Sequence, residues 1–305
     1  MSRRILLVTH PRRAEVPALV ADFSSRLQEH GIDVEVLPAA TSSDLTPISA
    51  TRDRFLGAHP SVEGAELVVV FGGDGTILRG AELARPGGVP LLGVNLGRIG
   101  FLAEAEQEEM GGLADHVVHE QYSVQERMTL EVDVIENGRT VCRSWALNEA
   151  SVEKSARERM IELAVEVDGR PLSTWGCDGV VMSTPTGSTA YAFSGGGPVL
   201  WPDVSALLMV PISAHALFAR PLVLGPDSEL AVEIVPHTSG SAVMWCDGRR
   251  SFELTPGSRI EVRRSEIGVR IARLSSSVFT DRLVAKFALN VEGWRGRPDG
   301  SGSSG

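Results

Sequence analysis

Three glycines crowd a single carboxylate in Gly72-Gly73-Asp74-Gly75-Thr76, directly after the apolar run Val68-Val69-Val70-Phe71 and before a helical pattern. Glycine lets backbone N–H groups close in on phosphate oxygens, and a helix starting near Thr76 aims the positive end of its dipole at the same point. Gly72, Gly73, Gly75 and Thr76 therefore read as a phosphate loop. Asp74 is the odd member. A loop built only to hold phosphate is opposed by a fixed negative charge at its centre, whereas a site that takes a proton from an attacking hydroxyl has a use for one. The loop matches neither common nucleotide fingerprint: G-x-G-x-x-G needs a glycine where Leu78 stands, and the P-loop needs a lysine that no glycine loop of this chain supplies. The competing reading is a plain Gly-Asp-Gly turn from strand to helix.

A second polar pair, Asn148-Glu149, follows the strand-like run that ends at Leu147. An amide can donate to and accept from a base edge, and a carboxylate can take two hydrogen bonds from a ribose diol, so the pair suits a nucleoside. A solvated turn is the plainer alternative. The stretch from Gly176 to Pro198 concentrates Ser and Thr hydroxyls, Tyr191 and several glycines around Asp178, with little other charge. Sugar and phosphate recognition needs hydroxyls and bare backbone of that kind, and Tyr191 could stack on a base; a buried glycine-rich sheet crossing is the alternative. A serine-hydrolase elbow does not fit, because Ala192 stands where its first glycine belongs before Ser194. His116 and His119 share a helical spacing but lack further ligands, so no metal site made by the protein is expected. Asp247-Gly248 reads chiefly as a hairpin turn.

The formal charge of -10 argues against a broad nucleic-acid or anionic-membrane surface. Cys142, Cys177 and Cys246 are far apart and odd in number, so they assemble neither a disulfide framework nor a C-x-x-C site, and a reducing cytoplasm is the simplest home. The longest nearly apolar tract, residues 206–224, contains Pro211, His215, Arg220 and Pro221 and reads as buried core, not as a membrane span.

These residues need a scaffold, and its rhythm is visible. Buried strands are expected at residues 4–9, 34–37, 67–71 and 89–94, with helices at 16–30, from 76 to about 83, and within 106–118. Strand, helix and strand in that order mean a parallel sheet with helices on its faces, whose ligands sit at the carboxyl ends of strands. Both Gly72 to Thr76 and Gly93-Val94-Asn95-Leu96-Gly97-Arg98 fall there. From about Tyr122 the pattern becomes all-β. Residues 124–135 and 140–147 flank the turn Asn137-Gly138, Asp168-Gly169 marks another hairpin, and strand-like runs recur at 229–235, 242–246, 251–254, 259–263 and 269–273. A short helix over 281–289 closes the chain and packs back. The expected division is an α/β domain at 1–121, an all-β domain at 122–275, a returning segment at 276–296 and a flexible tail at 297–305.

With these blocks in this order, the chain resembles the NAD kinase family, its bacterial branch in particular. Gly72-Gly73-Asp74-Gly75-Thr76 is similar to that family's glycine-aspartate signature, Asn148-Glu149 to its asparagine-acidic pair, and Ser183 to Pro198 to its long glycine, serine and threonine block. The first motif is shared with lipid and sugar kinases; the third block makes the resemblance specific. It implies a Rossmann-like parallel α/β domain followed by an all-β sandwich. It also implies phosphorylation of the adenosine ribose 2′-hydroxyl of NAD to NADP by ATP, with Mg²⁺ or another divalent cation and with inorganic polyphosphate left open as donor. Asp74 would be the general base or hydroxyl orienter, with Gly75 and Arg79 near NAD phosphate or ribose. Asn148 and Glu149 would bind the adenosine moiety. Arg159, Asp178 and the run Thr189, Ala190, Tyr191, Ala192, Phe193 and Ser194 would complete the dinucleotide pocket, partly from a neighbouring subunit of a homodimer or homotetramer. Two alternatives stand beside this: a non-catalytic dinucleotide sensor, and a lipid or sugar kinase of the wider glycine-aspartate group.

Overall fold

The computed structural model describes residues 3–10, 16–38, 46–47, 62–97, 100–106, 110–155, 160–237, 241–274 and 279–291. Arg98, Arg159 and the tail at 297–305 lie outside the described residues.

The strands Leu67–Phe71 and Leu91–Asn95 are buried at every position, so both of their faces must be covered. A parallel sheet with helices on its faces meets that demand. The first sheet runs in the order Asp33–Pro38, Arg4–Thr9, Leu67–Phe71, Leu91–Asn95, Val269–Arg273, Ser123–Arg127, with Ala105–Glu106 attached to Leu91–Asn95. All of its pairs are parallel except the last, between Val269–Arg273 and Ser123–Arg127. Helix Val16–Glu29 buries Val16, Val20, Phe23 and Leu27, one stripe of the 3.6-residue period. Strand order reverses between Arg4–Thr9 and Leu67–Phe71, and the glycine-aspartate loop leaves the sheet at that switch point.

Two antiparallel sheets form the rest. One has the order Leu222–Leu224, Leu207–Ile212, Gly179–Ser183, Glu149–Lys154, Ala242–Cys246, Arg250–Leu254, Thr46–Pro47, the last pair being parallel. The other runs Arg170–Cys177, Ile161–Val167, Leu230–Ile234, Arg259–Arg264, Leu130–Glu136, Arg139–Ala146. A single apolar core including Leu130, Val132, Val152, Leu163, Trp175, Met182, Met209, Val232 and Met244 lies between them, which makes this half a sandwich. The closing helix Phe279–Phe287 packs back through ring contacts with Phe101, Phe193 and Trp201.

Three expectations change. Ser123–Arg127 is not the start of a hairpin with residues 140–147, and Val269–Arg273 is not a sandwich strand; both extend the parallel sheet. Their short apolar patterns fit either sheet. The open edge of Leu91–Asn95 decides, because its backbone groups need a partner. The helix after the glycine loop begins at Asp74, not near Thr76, with Gly73 in an extended conformation as its cap. Asp74 thus lies in the first turn, where the helix dipole favours a carboxylate.

Candidate active site

Asp74 is half-buried at the carboxyl end of the parallel sheet, and a neighbouring loop grips its carboxylate. Phe101 N–H donates to Oδ2 and Leu102 N–H donates to Oδ1, each at 3.2 Å. A Cβ on Gly100 would collide with this carboxylate, so the loop approaches closely because position 100 is bare. Each carboxylate oxygen retains a second lone pair for a substrate hydroxyl. Of the first amides of helix Asp74–Ala84, those of Thr76 and Ile77 donate to the Gly73 carbonyl at 2.8 and 3.1 Å, and those of Asp74 and Gly75 point out of the helix start, which suits phosphate. Thr76 is buried, Gly75 exposed and Arg79 half-buried on the same helix.

Facing this loop is the segment that follows strand Gly179–Ser183. Phe101, Leu102, Thr186, Thr189 and Phe279 line one narrow cavity, so the loop that grips Asp74 and the hydroxyl-rich run meet there. The hydroxyls divide into two sets. Ser183, Thr184 and Ser188 are fully buried and act internally. Thr184 Oγ1 donates to Leu147 O at 2.6 Å, Ser183 Oγ donates to Asn148 O at 3.0 Å, and Ser188 Oγ donates to Pro185 O at 2.7 Å. A Cβ on Gly187 would collide with the backbone of Asn148, so this glycine too permits a close crossing. Thr189 is only half-buried. Ala192 has its side chain fully buried with Val181, Leu208 and Val210, so it offers a ligand only backbone. Phe193 stacks on Phe287 with ring centroids 4.7 Å apart.

Asn148 and Glu149 are each 7% exposed, and Asn148 Oδ1 and Glu149 Oε2 are buried without a hydrogen-bond partner among the described residues. Native proteins rarely leave such acceptors unpaired, and the pair can accept hydrogen bonds from a donor-bearing ligand. Glu149 opens onto a cavity of about 390 Å³ lined also by Ser151, Glu153, Tyr191, Trp245 and Gly248, large enough for a nucleoside. Burial pushes the Glu149 carboxyl up to about 8, the nearby Asp247 charge adds to this, and the Tyr191 N–H opposes it. Tyr191 is half-buried, and its hydroxyl donates to Glu153. Asp178 is engaged by Lys154, Nζ to Oδ1 at 2.5 Å.

Asp247 is the residue that sequence reasoning missed. It does open a tight turn, with φ of 55° at Asp247 and 60° at Gly248. Its side chain, however, turns inward. Leu147 N–H donates to Oδ2 at 3.1 Å and Asn148 N–H to Oδ1 at 2.7 Å, so Asp247 fixes the backbone that presents Asn148 and Glu149. Arg250, 1% exposed, pairs with it at 2.7 Å. Burial raises the Asp247 carboxyl, while Arg250 and the two amides oppose the rise. Arg249 and Arg250 also reach Glu82, on the helix that starts with Asp74, at 3.1 and 3.3 Å. Trp145 is flanked by Arg85 at 4.4 Å and Arg250 at 4.5 Å. The pattern Asp-Gly signalled the turn; nothing local signalled the inward carboxylate.

A glycine-aspartate loop at a sheet switch point and, on the sandwich, unpaired acceptors at a nucleoside-sized cavity are the parts that a nucleotide-dependent phosphotransferase requires. Comparison with known proteins narrows the class. Family models described as the ATP-NAD kinase N-terminal domain and the ATP-NAD kinase C-terminal domain match residues 5–122 and 147–274. "NAD kinase 2" of Streptomyces coelicolor is 56% identical over 97% of this chain and 98% of its own length. NAD kinase of Mycobacterium tuberculosis is 50% identical over 97% and 99%. Among solved structures, an NAD kinase from Archaeoglobus fulgidus in complex with ATP superposes with a TM-score of 0.70 at 25% identity, covering 93% of this chain and 98% of that one. Yeast NADH kinase complexed with NADH shares the fold, with a TM-score of 0.77 at 23% identity over 95% and 89%. The chain belongs to the NAD kinase family. It is an enzyme, a kinase that acts on NAD, and the sensor and lipid or sugar kinase alternatives are not favoured. Among the described residues, no helix is long and apolar enough to cross a membrane.

Proposed function

We propose that this enzyme transfers the terminal phosphoryl group of ATP to the 2′-hydroxyl of the adenosine ribose of NAD, giving NADP, with Asp74 as the residue that orients that hydroxyl and accepts its proton. The carrying observation is the Asp74 carboxylate, held at a sheet switch point by two amides with a lone pair left on each oxygen. Phosphoryl transfer has a loose transition state, so placing the nucleophile in line and screening charge matter more than covalent chemistry. Gly72, Gly73, Gly75 and Thr76 are assigned to phosphate, and Gly75 and Arg79 to the phosphate or ribose of NAD. Asn148 and Glu149 are assigned to the adenosine moiety. Asp178 and the run from Thr189 to Ser194 line the dinucleotide path, Ala192 through backbone alone, and Arg159 is kept in the same role. Mg²⁺ or another divalent cation would arrive with ATP and supply screening of its phosphate charge; among the described residues no cluster of His, Cys, Asp or Glu could hold one independently.

A cytoplasmic homodimer or homotetramer is part of the proposal. The buried free cysteines suit a reducing compartment, and the exposed Leu217 and Phe218 are apolar side chains that a second copy would cover.

The test is purified protein with ATP, Mg²⁺ and NAD, read through a dehydrogenase that responds only to NADP. Asp74→Asn should lower turnover by roughly 10² to 10⁴, about 3 to 5 kcal/mol, while NAD binding persists. Turnover within about threefold of the parent would remove Asp74 from the role. Polyphosphate in place of ATP decides the donor.

A further inference from the structure

We infer that Arg282, on the closing helix, is a positioning residue for Asp74. The inference rests on the proposed role of Asp74. Helix Phe279–Phe287 has no buried residue, so its place on the molecule depends on a few directed contacts. Arg282 Nη1 donates to the Phe101 carbonyl at 3.1 Å, and Nη2 pairs with Glu104 at 2.7 Å. Glu104, whose side chain is 1% exposed, is also held by Arg273 at 3.2 Å. The Phe101 carbonyl and the Leu102 N–H belong to one planar peptide unit. Arg282 therefore holds the oxygen end of the same rigid group whose nitrogen end donates to Asp74 Oδ1.

Two consequences follow from that geometry. Rotation of the peptide plane would break both hydrogen bonds together, so the guanidinium locks the direction from which the Leu102 N–H meets Asp74. A cation at the carbonyl oxygen also polarises the peptide and strengthens its N–H as a donor. The rings add a second tether. Phe101 packs against Phe279 and Phe287 with centroids 5.9 and 5.8 Å away, and Phe287 stacks on Phe193 of the hydroxyl-rich run. One surface helix thus ties the loop that orients Asp74 to the run that faces it.

The test uses the full-length enzyme. Arg282→Ala should lower kcat about tenfold or more with KM for NAD changed less than about threefold, and Arg282→Lys, which keeps one donor, should recover part of the loss. Arg273→Ala is the comparator: it removes the other partner of Glu104 but not the donor to Phe101. It should cost a similar amount of thermal stability with a much smaller change in kcat. An Arg282→Ala enzyme with kcat near the parent's, or a kcat loss that Arg273→Ala reproduces alongside an equal fall in Tm, would overturn the inference. If Arg282→Ala does not fold, Arg282→Lys and Arg282→Gln carry the same comparison. An active Asp74→Asn enzyme would overturn the reading of Asp74 itself. An inactive Asp74→Asn with a fully active Arg282→Ala would overturn only the role of Arg282.

Discussion

Raising the pH from 7 to 9 should tighten NAD binding about tenfold, through Glu149 alone. The buried Glu149 carboxyl is pushed from its ordinary 4.5 up to about 8 by burial first and by Asp247 second. A donor on the adenosine moiety, such as the adenine amine, bonds most strongly to the ionised form, and the 2′-hydroxyl is left to Asp74. At pH 7, one unit below that value, roughly one carboxyl in eleven is ionised, so binding must first remove a proton at a cost of about 1.4 kcal/mol; by pH 9 this cost has nearly vanished. Calorimetric titration of NAD into the ATP-free enzyme between pH 6.5 and 9, in buffers of different ionisation enthalpy, would read both affinity and proton release. Close to one proton should leave per NAD bound at pH 7, and Glu149→Gln should bind weakly with no pH dependence. An affinity independent of pH in the parent would refute the argument. An affinity that weakens as pH rises would mean that the protonated acid donates to the ligand.

The same group sets the pH dependence of stability without ligand. Its folded value lies above its unfolded value, so the folded state holds a proton that the unfolded chain releases between pH 4.5 and about 8. The contribution is complete below the lower value and is lost as pH rises through the upper one, at up to about 1.4 kcal/mol per unit. Urea unfolding of the ligand-free enzyme across that window should show the decline, and Glu149→Gln should flatten it. Asp247→Ala leaves the buried Leu147 and Asn148 amides without their acceptor and takes from Arg250 the shorter of its two ion pairs, with Glu82 remaining, which should cost about 3 to 5 kcal/mol in denaturant unfolding and weaken NAD binding in parallel. Gly100→Ala places a methyl against the Asp74 carboxylate, so kcat should fall about tenfold or more while Tm moves little, because the strain is confined to the loop. Equal loss of kcat and stability there would show that the loop, not the carboxylate, has given way.

Much of the scaffold was legible because its signals are short-range. Apolar runs such as Leu67–Phe71 show continuous burial, and the three dipeptides Asn137-Gly138, Asp168-Gly169 and Asp247-Gly248 all adopt the positive φ that a tight hairpin turn requires. The glycine-aspartate loop, the Asn148-Glu149 pair and the hydroxyl-rich run could be singled out because their residue types are unusual at the ends of such elements. The amides of Phe101 and Leu102 could not be, since every residue but proline carries an N–H and only the approach of the loop selects these two. Among the hydroxyls, Ser183, Thr184 and Ser188 look no different in sequence from Thr189, yet they are fully buried and Thr189 only half-buried.

Sequence alone therefore determined the alternation of elements, the turns, the glycine-aspartate loop and the family resemblance, all of which depend on neighbours within a few residues. Tertiary structure decided that Val269–Arg273 and Ser123–Arg127 extend the parallel sheet, that Asp247 turns inward to carry Asn148 and Glu149, and that Arg282 reaches Phe101 across 181 positions of chain. Those choices depend on which backbone edge is open and which charge is left unpaired once distant segments meet. Burial and pairing are settled between segments, and no window along the chain contains both partners.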